Sequence, residues 1–211
     1  MKERPILFSA SMVCAILEGR KTQTRRIIKE QPLLGCIGTY GVGIPFVRGK
    51  NGDVRCPYGT PGDRIWVRET IDGLWGCDAE YKADGKRLVD CIGWDWLHKD
   101  RRELPAKVIP SIHMPRWASR INLEVTGVRV ERLNEISVED AKAEGIKRAR
   151  EPLSYLWNAD YPDRGCGTTG DDKEPGPVAA YHHLWTSING VGSWNENPWV
   201  WVVEFKVLEN G

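Results

Sequence analysis

No stretch of the 211-residue chain approaches the roughly 18 consecutive apolar residues that a spanning helix needs, so no membrane anchor of that kind is expected. The opening Met1-Lys2-Glu3-Arg4-Pro5 lacks the apolar core of a secretion signal, and the expected compartment is the cytoplasm. An excess of one charge is also missing: 30 Lys and Arg face 29 Asp and Glu, for a net charge of +1. That balance excludes a polycationic coat for nucleic acid or a membrane surface, so any argument for nucleic acid has to be local. The six cysteines contain no C-x-x-C pair, which excludes a zinc ribbon and a thioredoxin-type motif. In a reducing compartment Cys14, Cys36, Cys56, Cys77, Cys91 and Cys166 are most simply free thiols. A zinc site built from distant Cys36, Cys56, Cys77 or Cys91 with His98 or His113 stays open as an alternative.

What the chain does hold is one dense stretch, Gly19-Arg20-Lys21-Thr22-Gln23-Thr24-Arg25-Arg26. Ahead of it, Met12, Val13, Ile16 and Leu17 recur at helical spacing, which predicts a helix over Ser11 to Glu18. Gly19 stands where a left-handed C-terminal cap belongs, and Arg20 and Lys21 follow at the negative end of the helix dipole. Two readings are open on these residues alone. Four cations in seven residues form a solvated or phosphate-facing surface, or Lys21 has a lowered pKa and serves as base to the Thr24 hydroxyl.

The rest of the chain punctuates itself. Ile6-Leu7-Phe8 and Arg64 to Glu69, the latter entered through the Pro61-Gly62-Asp63 turn, read as strands. Residues 30 to 60, rich in Gly and Pro, read as a long loop or insertion. Residues 70 to 118 read as a second insertion, with a hairpin signal at Asp84-Gly85, and residues 147 to 177 as a third. Ile121, Leu123 and Val125 alternate with polar residues until the phase slips at Thr126-Gly127, the mark of a β-bulge and of a strand bent into a small barrel. Ser137 caps a predicted helix, Asp140 reciprocates, and Ile136 staples against Ala141. Gly145 ends that helix and leaves Glu144 in its last turn, where a carboxylate requires a nearby cation. The basic stretch is the expected supplier, through Lys21 or through a structural ion pair with Arg20 or Arg26. Val178, Tyr181, Leu184, Trp185 and Ile188 make a late helical stripe stopped by Gly190, with His182 and His183 as rim residues. Trp199 to Val207 is apolar on both faces at its start and is expected in the middle of the sheet.

The run Ala15 to Arg26, Pro61-Gly62-Asp63-Arg64-Ile65-Trp66-Val67, Ala141-Lys142-Ala143-Glu144-Gly145 and the Trp-Val-Val-Glu-Phe ending together resemble the ASCH domain family, a relative of the PUA fold. These motifs cover about half of the chain. The length is closer to that of the longer family members found in phages and prophages. The resemblance implies an α+β fold: one domain over 1–211, a PUA-like small β-barrel with flanking helices, a cleft between them, and the three loop insertions. Some members with these motifs are amidohydrolases of N(4)-acetylcytidine, in which the matching lysine, threonine and glutamate are catalytic. That comparison implies Lys21, Thr24 and Glu144 as the catalytic set. Lys21 would take the Thr24 proton, Thr24 would attack the amide, and Glu144 would orient Lys21 or shuttle a proton. Arg20, Arg25, Arg26 and Trp66 are the expected substrate or phosphate ligands.

The expected partner is a nucleoside, a nucleotide or RNA; no cofactor, metal or membrane is required. Two alternatives accompany the amidohydrolase. One is a non-catalytic RNA- or nucleotide-binding module, with Arg116 and Arg120 extending the basic patch and Trp66 or Trp117 stacking on a base. The other is a ribonuclease using Lys21 and Glu144.

Overall fold

A computed structural model of the chain describes residues 2–32, 36–41, 43–73, 79–92, 108–146 and 176–208. Cys77, Trp75, Trp94, Trp96, His98, Cys166 and nearly all of the third expected insertion lie outside them.

The main sheet has five strands in the order β1 (Glu3–Leu7), β6 (Arg64–Arg68), β10 (Asn122–Arg132), β11 (Trp199–Leu208), β2 (Gln23–Ile27). β1 runs parallel to β6, and the other pairings are antiparallel. β11 is interior, as its two-sided apolar pattern requires: Trp201, Val203 and Phe205 enter one core, and Val200 and Val202 enter another. The register of β10 against β11 shifts between Val125 and Gly127, where the sequence phase slips. A Cβ on Gly127 would stand 2.5 Å from the Glu204 carboxylate, so the carboxylate lies directly over the bulge.

Strand pairing among the described residues does not close into a ring, so the expected barrel narrows to a curled, mixed α+β sheet. The two edges nevertheless approach each other. The Arg26 guanidinium on β2 donates to the carbonyl of Leu7, at the end of β1. That unzipped seam becomes the cleft described below.

Two expected loops carry more structure than their composition predicts. Residues 30 to 60 hold an antiparallel meander of β3 (Ile37–Tyr40), β4 (Ile44–Gly49) and β5 (Gly52–Arg55), and Val47 from it is fully buried in the main core. Glycines at 38, 41, 43, 49 and 52 hid the strands. Gly41, Gly43 and Gly52 take positive φ in the turns, and Gly38 lies under the Phe46 ring, where a side chain would collide. The second insertion has its own core. It includes Ile71, Tyr81, Leu88, Ile109 and Met114, built on β7 (Ile71–Asp72), β8 (Glu80–Tyr81), β9 (Val108–Ile109) and α2 (Leu88–Ile92). The expected turn at Asp84-Gly85 is present, with Gly85 at φ +68°.

The remaining α-helices among the described residues are α1 (Ala10–Leu17), α3 (Val138–Ala143) and α4 (Pro177–Asn189). α1 sends Val13 and Ile16 into the core shared with Trp201, while α3 and α4 cover Val200 and Val202 on the opposite face of β11. No helix among the described residues is long and apolar enough to cross a membrane.

Candidate active site

Two glycines set the geometry. At Gly19 (φ +73°) the first helix ends in a turn so tight that the backbone N–H groups of Arg20 and Lys21 both donate to the carbonyl of Ala15. At Gly145 (φ +93°) α3 ends against that turn, and a Cβ there would stand 2.9 Å from Ala15 Cβ and 3.1 Å from Lys21 Cβ. Only a residue without a side chain lets the two helix ends meet this closely. Backbone bonds fix the join: Lys21 and Glu144 form an isolated β-bridge, and the Thr22 N–H donates to Ala143.

The meeting buries a charge pair. Lys21 Nζ donates to Glu144 Oε2 at 2.7 Å and to the Glu144 carbonyl at 3.0 Å, and both side chains are almost wholly out of solvent. Burial pushes the Lys21 ammonium below its ordinary range; Glu144 pulls it back, while Arg26 and Arg25 add to the lowering. The arginines and the glutamate act in opposition, and desolvation, which depends on everything packed around the lysine, is the larger influence.

Arg25, expected as a substrate or phosphate ligand, lines the cleft and is engaged by carboxylates. Its guanidinium donates to Asp140 at 2.8 Å, to Glu131 at 3.1 Å and, over a longer 3.4 Å, to Glu144 Oε1. Its charge is therefore spent on carboxylates, and it steadies Glu144. Asp140 also accepts from Arg129, which reaches Glu131 and Glu204. Those arginines hold the Asp140 carboxyl below its usual range against the opposing effect of its partial burial. Ser137 caps α3 as expected, accepting from the Asp140 N–H, but the Asp140 side chain serves this network.

Arg20 is likewise engaged, with Glu18 at 2.6 Å and the Gly145 carbonyl, so Glu144 pairs with Lys21 and Arg25 and not with Arg20 or Arg26. Arg26 lies over the rings of Phe8 and Tyr58, at 5.3 and 5.8 Å. Arg120 does not extend a basic patch: it is buried between Glu69 and Asp84 and lies 3.9 Å over Tyr81. Arg116 pairs with Glu3. Trp66 is 8% exposed on β6, two strands away from β2, with Arg68 and Arg116 over its ring; it does not line the cleft.

The cleft itself, about 370 Å³, opens at the seam between the end of β1 and β2, roofed by α4. Thr24, Arg25, Arg26 and Glu144 supply its polar surface. Phe8, Met12, Tyr181, Leu184 and Trp185 supply its walls, and the partly exposed Leu7, Ile27 and Ile188 its rim. Thr24 pairs with Val203 across the sheet and Arg25 with Val202, so their side chains leave opposite faces of the edge strand and flank the opening. Among the described residues no hydrogen bond joins Lys21 Nζ to the Thr24 hydroxyl. Tyr181 and Trp185 were legible in the sequence only as an apolar stripe. The signal available was two aromatics with polar tips four residues apart on one helix face.

No protein-family model and no curated protein matches the chain. Among solved structures it is similar to an ASCH domain from Lactobacillus crispatus JV V101, at 14% identity over 98% of this chain and 79% of that one, with a TM-score of 0.36. At that identity and score the likeness bears none of the weight below.

Proposed function

We propose that the chain is a PUA-like ASCH protein that hydrolyses the amide of N(4)-acylcytidine-type nucleosides or nucleotides, with Lys21 as base, Thr24 as nucleophile and Glu144 as the group that holds Lys21. The observation that supports it most directly is a fully buried lysine, paired to a buried glutamate, beside a cleft that carries a threonine. A solvated basic face for phosphates would not bury its lysine, and it would not neutralise Arg20 and Arg25 with Glu18, Glu131 and Asp140. The apolar walls suit a flat base better than a phosphate chain.

In the neutral form Lys21 has two N–H groups and one lone pair. The carbonyl and carboxylate of Glu144 accept those two N–H groups, which leaves the lone pair for a proton. Lys21 takes the Thr24 hydroxyl proton as Oγ1 bonds to the amide carbon and the carbonyl π pair moves onto oxygen. When the C–N bond breaks, the leaving amine nitrogen takes that proton from Lys21. Water then attacks the acyl ester and Lys21 accepts a water proton; as the bond between the acyl carbon and Thr24 Oγ1 breaks, Lys21 gives that proton to Oγ1, and the free acid leaves with Thr24 and neutral Lys21 restored. The reading requires the Thr24 hydroxyl to come within reach of Nζ when substrate fills the cleft, since catalytic bonds in ligand-free sites are commonly long.

Mass-spectrometric turnover of N(4)-acetylcytidine, longer N(4)-acylcytidines and acetylated RNA tests it, run beside Lys21→Ala and Thr24→Val. Cytidine release by the wild type alone is expected. Undiminished release by Thr24→Val removes the nucleophile from the scheme. Cleaved phosphodiesters without released acid would transfer the site to the ribonuclease reading.

A further inference from the structure

Resting on the acyl-transfer reading, we propose that the Tyr181 hydroxyl is a fourth catalytic group, donating a hydrogen bond to the carbonyl oxygen of the scissile amide as that oxygen becomes an oxyanion. The scheme above supplies a base, a nucleophile and a group to hold the base, but no donor for the oxygen that gathers negative charge. Of the arginines at the cleft, Arg25 gives its terminal nitrogens to Glu131, Asp140 and Glu144 and Arg26 gives one to the Leu7 carbonyl, while the Nε of each is sealed from solvent and so from a ligand.

Tyr181 fits the vacancy on three counts. It is 3% exposed and lines the cleft from α4 on the Val202 face of the sheet, while Thr24 enters the same cleft from the Val203 face. Its ring lies against Trp185 at 6.3 Å and Trp194 at 6.2 Å and packs with Val200 and Val202, so the phenol oxygen is held in place by the packed ring. No described residue accepts a hydrogen bond from that hydroxyl, whereas Tyr81, likewise buried, donates to the Ala118 carbonyl. The Tyr181 hydroxyl is not among the polar atoms sealed from solvent without a partner, so it stays accessible, and a substrate carbonyl in the cleft can accept from it.

The phenol also keeps its proton. Burial first, and then the Glu144 carboxylate, push its acidity well out of reach of neutral pH, while Arg25 and Arg26 act more weakly the other way. Tyr181 therefore keeps its proton at neutral pH and acts as a donor, and no proton leaves it during the reaction: the π pair moves to the carbonyl oxygen, and the hydrogen bond from the phenol to that oxygen tightens.

The test is Tyr181→Phe, which keeps the ring and its packing. The expected result is a fall in kcat on the order of 10²-fold, the usual cost of one oxyanion donor. KM for N(4)-acetylcytidine, the affinity for cytidine and the melting temperature are expected to stay near the wild type. Unchanged kcat overturns the proposal while leaving the Lys21 and Thr24 scheme standing. So does a raised KM at constant kcat, which would place Tyr181 in ground-state binding. Absence of turnover in the wild type removes the acyl-transfer reading, and this inference with it.

Discussion

Removing the carboxylate from the buried pair tests the electrostatics on which the site depends. In Glu144→Ala, Lys21 Nζ keeps the backbone carbonyl at 3.0 Å and loses the carboxylate at 2.7 Å, in a place where its side chain has no exposure to water. Arg25 loses only its long 3.4 Å contact and retains Glu131 and Asp140, so the damage concentrates on the lysine. Leaving one member of a buried pair uncompensated costs about 3–5 kcal/mol. For a chain of this size that lowers the melting temperature by roughly 6–20 °C. The double variant Lys21→Met with Glu144→Leu, which removes both charges and keeps the volume, is expected to recover most of the loss while remaining inactive. Urea unfolding at neutral pH measures all three proteins. The penalty in Glu144→Ala should shrink as the pH rises toward 10.5, because Lys21 sheds its proton in the folded chain before the unfolded chain does. A loss below about 1 kcal/mol, the range of an exposed pair, would mean that water reaches the lysine and would refute the basis for its lowered pKa.

Because neutral Lys21 is the active form and burial lowers its pKa, kcat/KM should rise with pH along a limb whose apparent constant lies below 10.5. In Glu144→Gln the pull of the carboxylate is gone, so the limb of any residual activity should move to lower pH; an upward move would contradict the assignment. Far from the cleft, Asp63 accepts from the Lys2 N–H, from Arg4 and from the Thr60 N–H, and its carboxyl is held at about 2, most strongly by the Lys2 N–H. A depressed carboxyl contributes stability above its unfolded value of 3.8 and loses it as the pH falls toward about 2. Asp63→Asn should flatten that acid limb in a thermal-melt series, and a limb unchanged by the substitution would place the acid sensitivity elsewhere.

Much of the scaffold was local enough to read. The caps at Gly19, Ser137, Gly145 and Gly190, the bulge at Gly127 and the interior position of β11 all follow from interactions within a few residues or from the two-sided burial of one strand. The meander over residues 37–55 escaped because its glycines look like loop punctuation until Val47 is seen in the core. Trp66 and Arg120 suited a ligand surface on chemistry alone, yet Arg68 from the same strand and Arg116 from farther along cover Trp66, and Glu69 and Asp84 engage Arg120.

The sequence by itself determined that a lysine would follow a glycine-capped helix, that a glutamate would close another, and that the glutamate needed a nearby cation. Only the tertiary structure decided that the two helix ends meet, because that contact depends on Gly145 admitting the Lys21 and Ala15 side chains across more than a hundred intervening residues. It also decided the sign of the lysine's shift, since desolvation is a property of everything packed around a group and of none of its neighbours in sequence. The cleft belongs to the same level: it is the seam at which the two edges of the curled sheet come together without pairing, roofed by a helix whose polar-tipped aromatics read, in one dimension, as ordinary core.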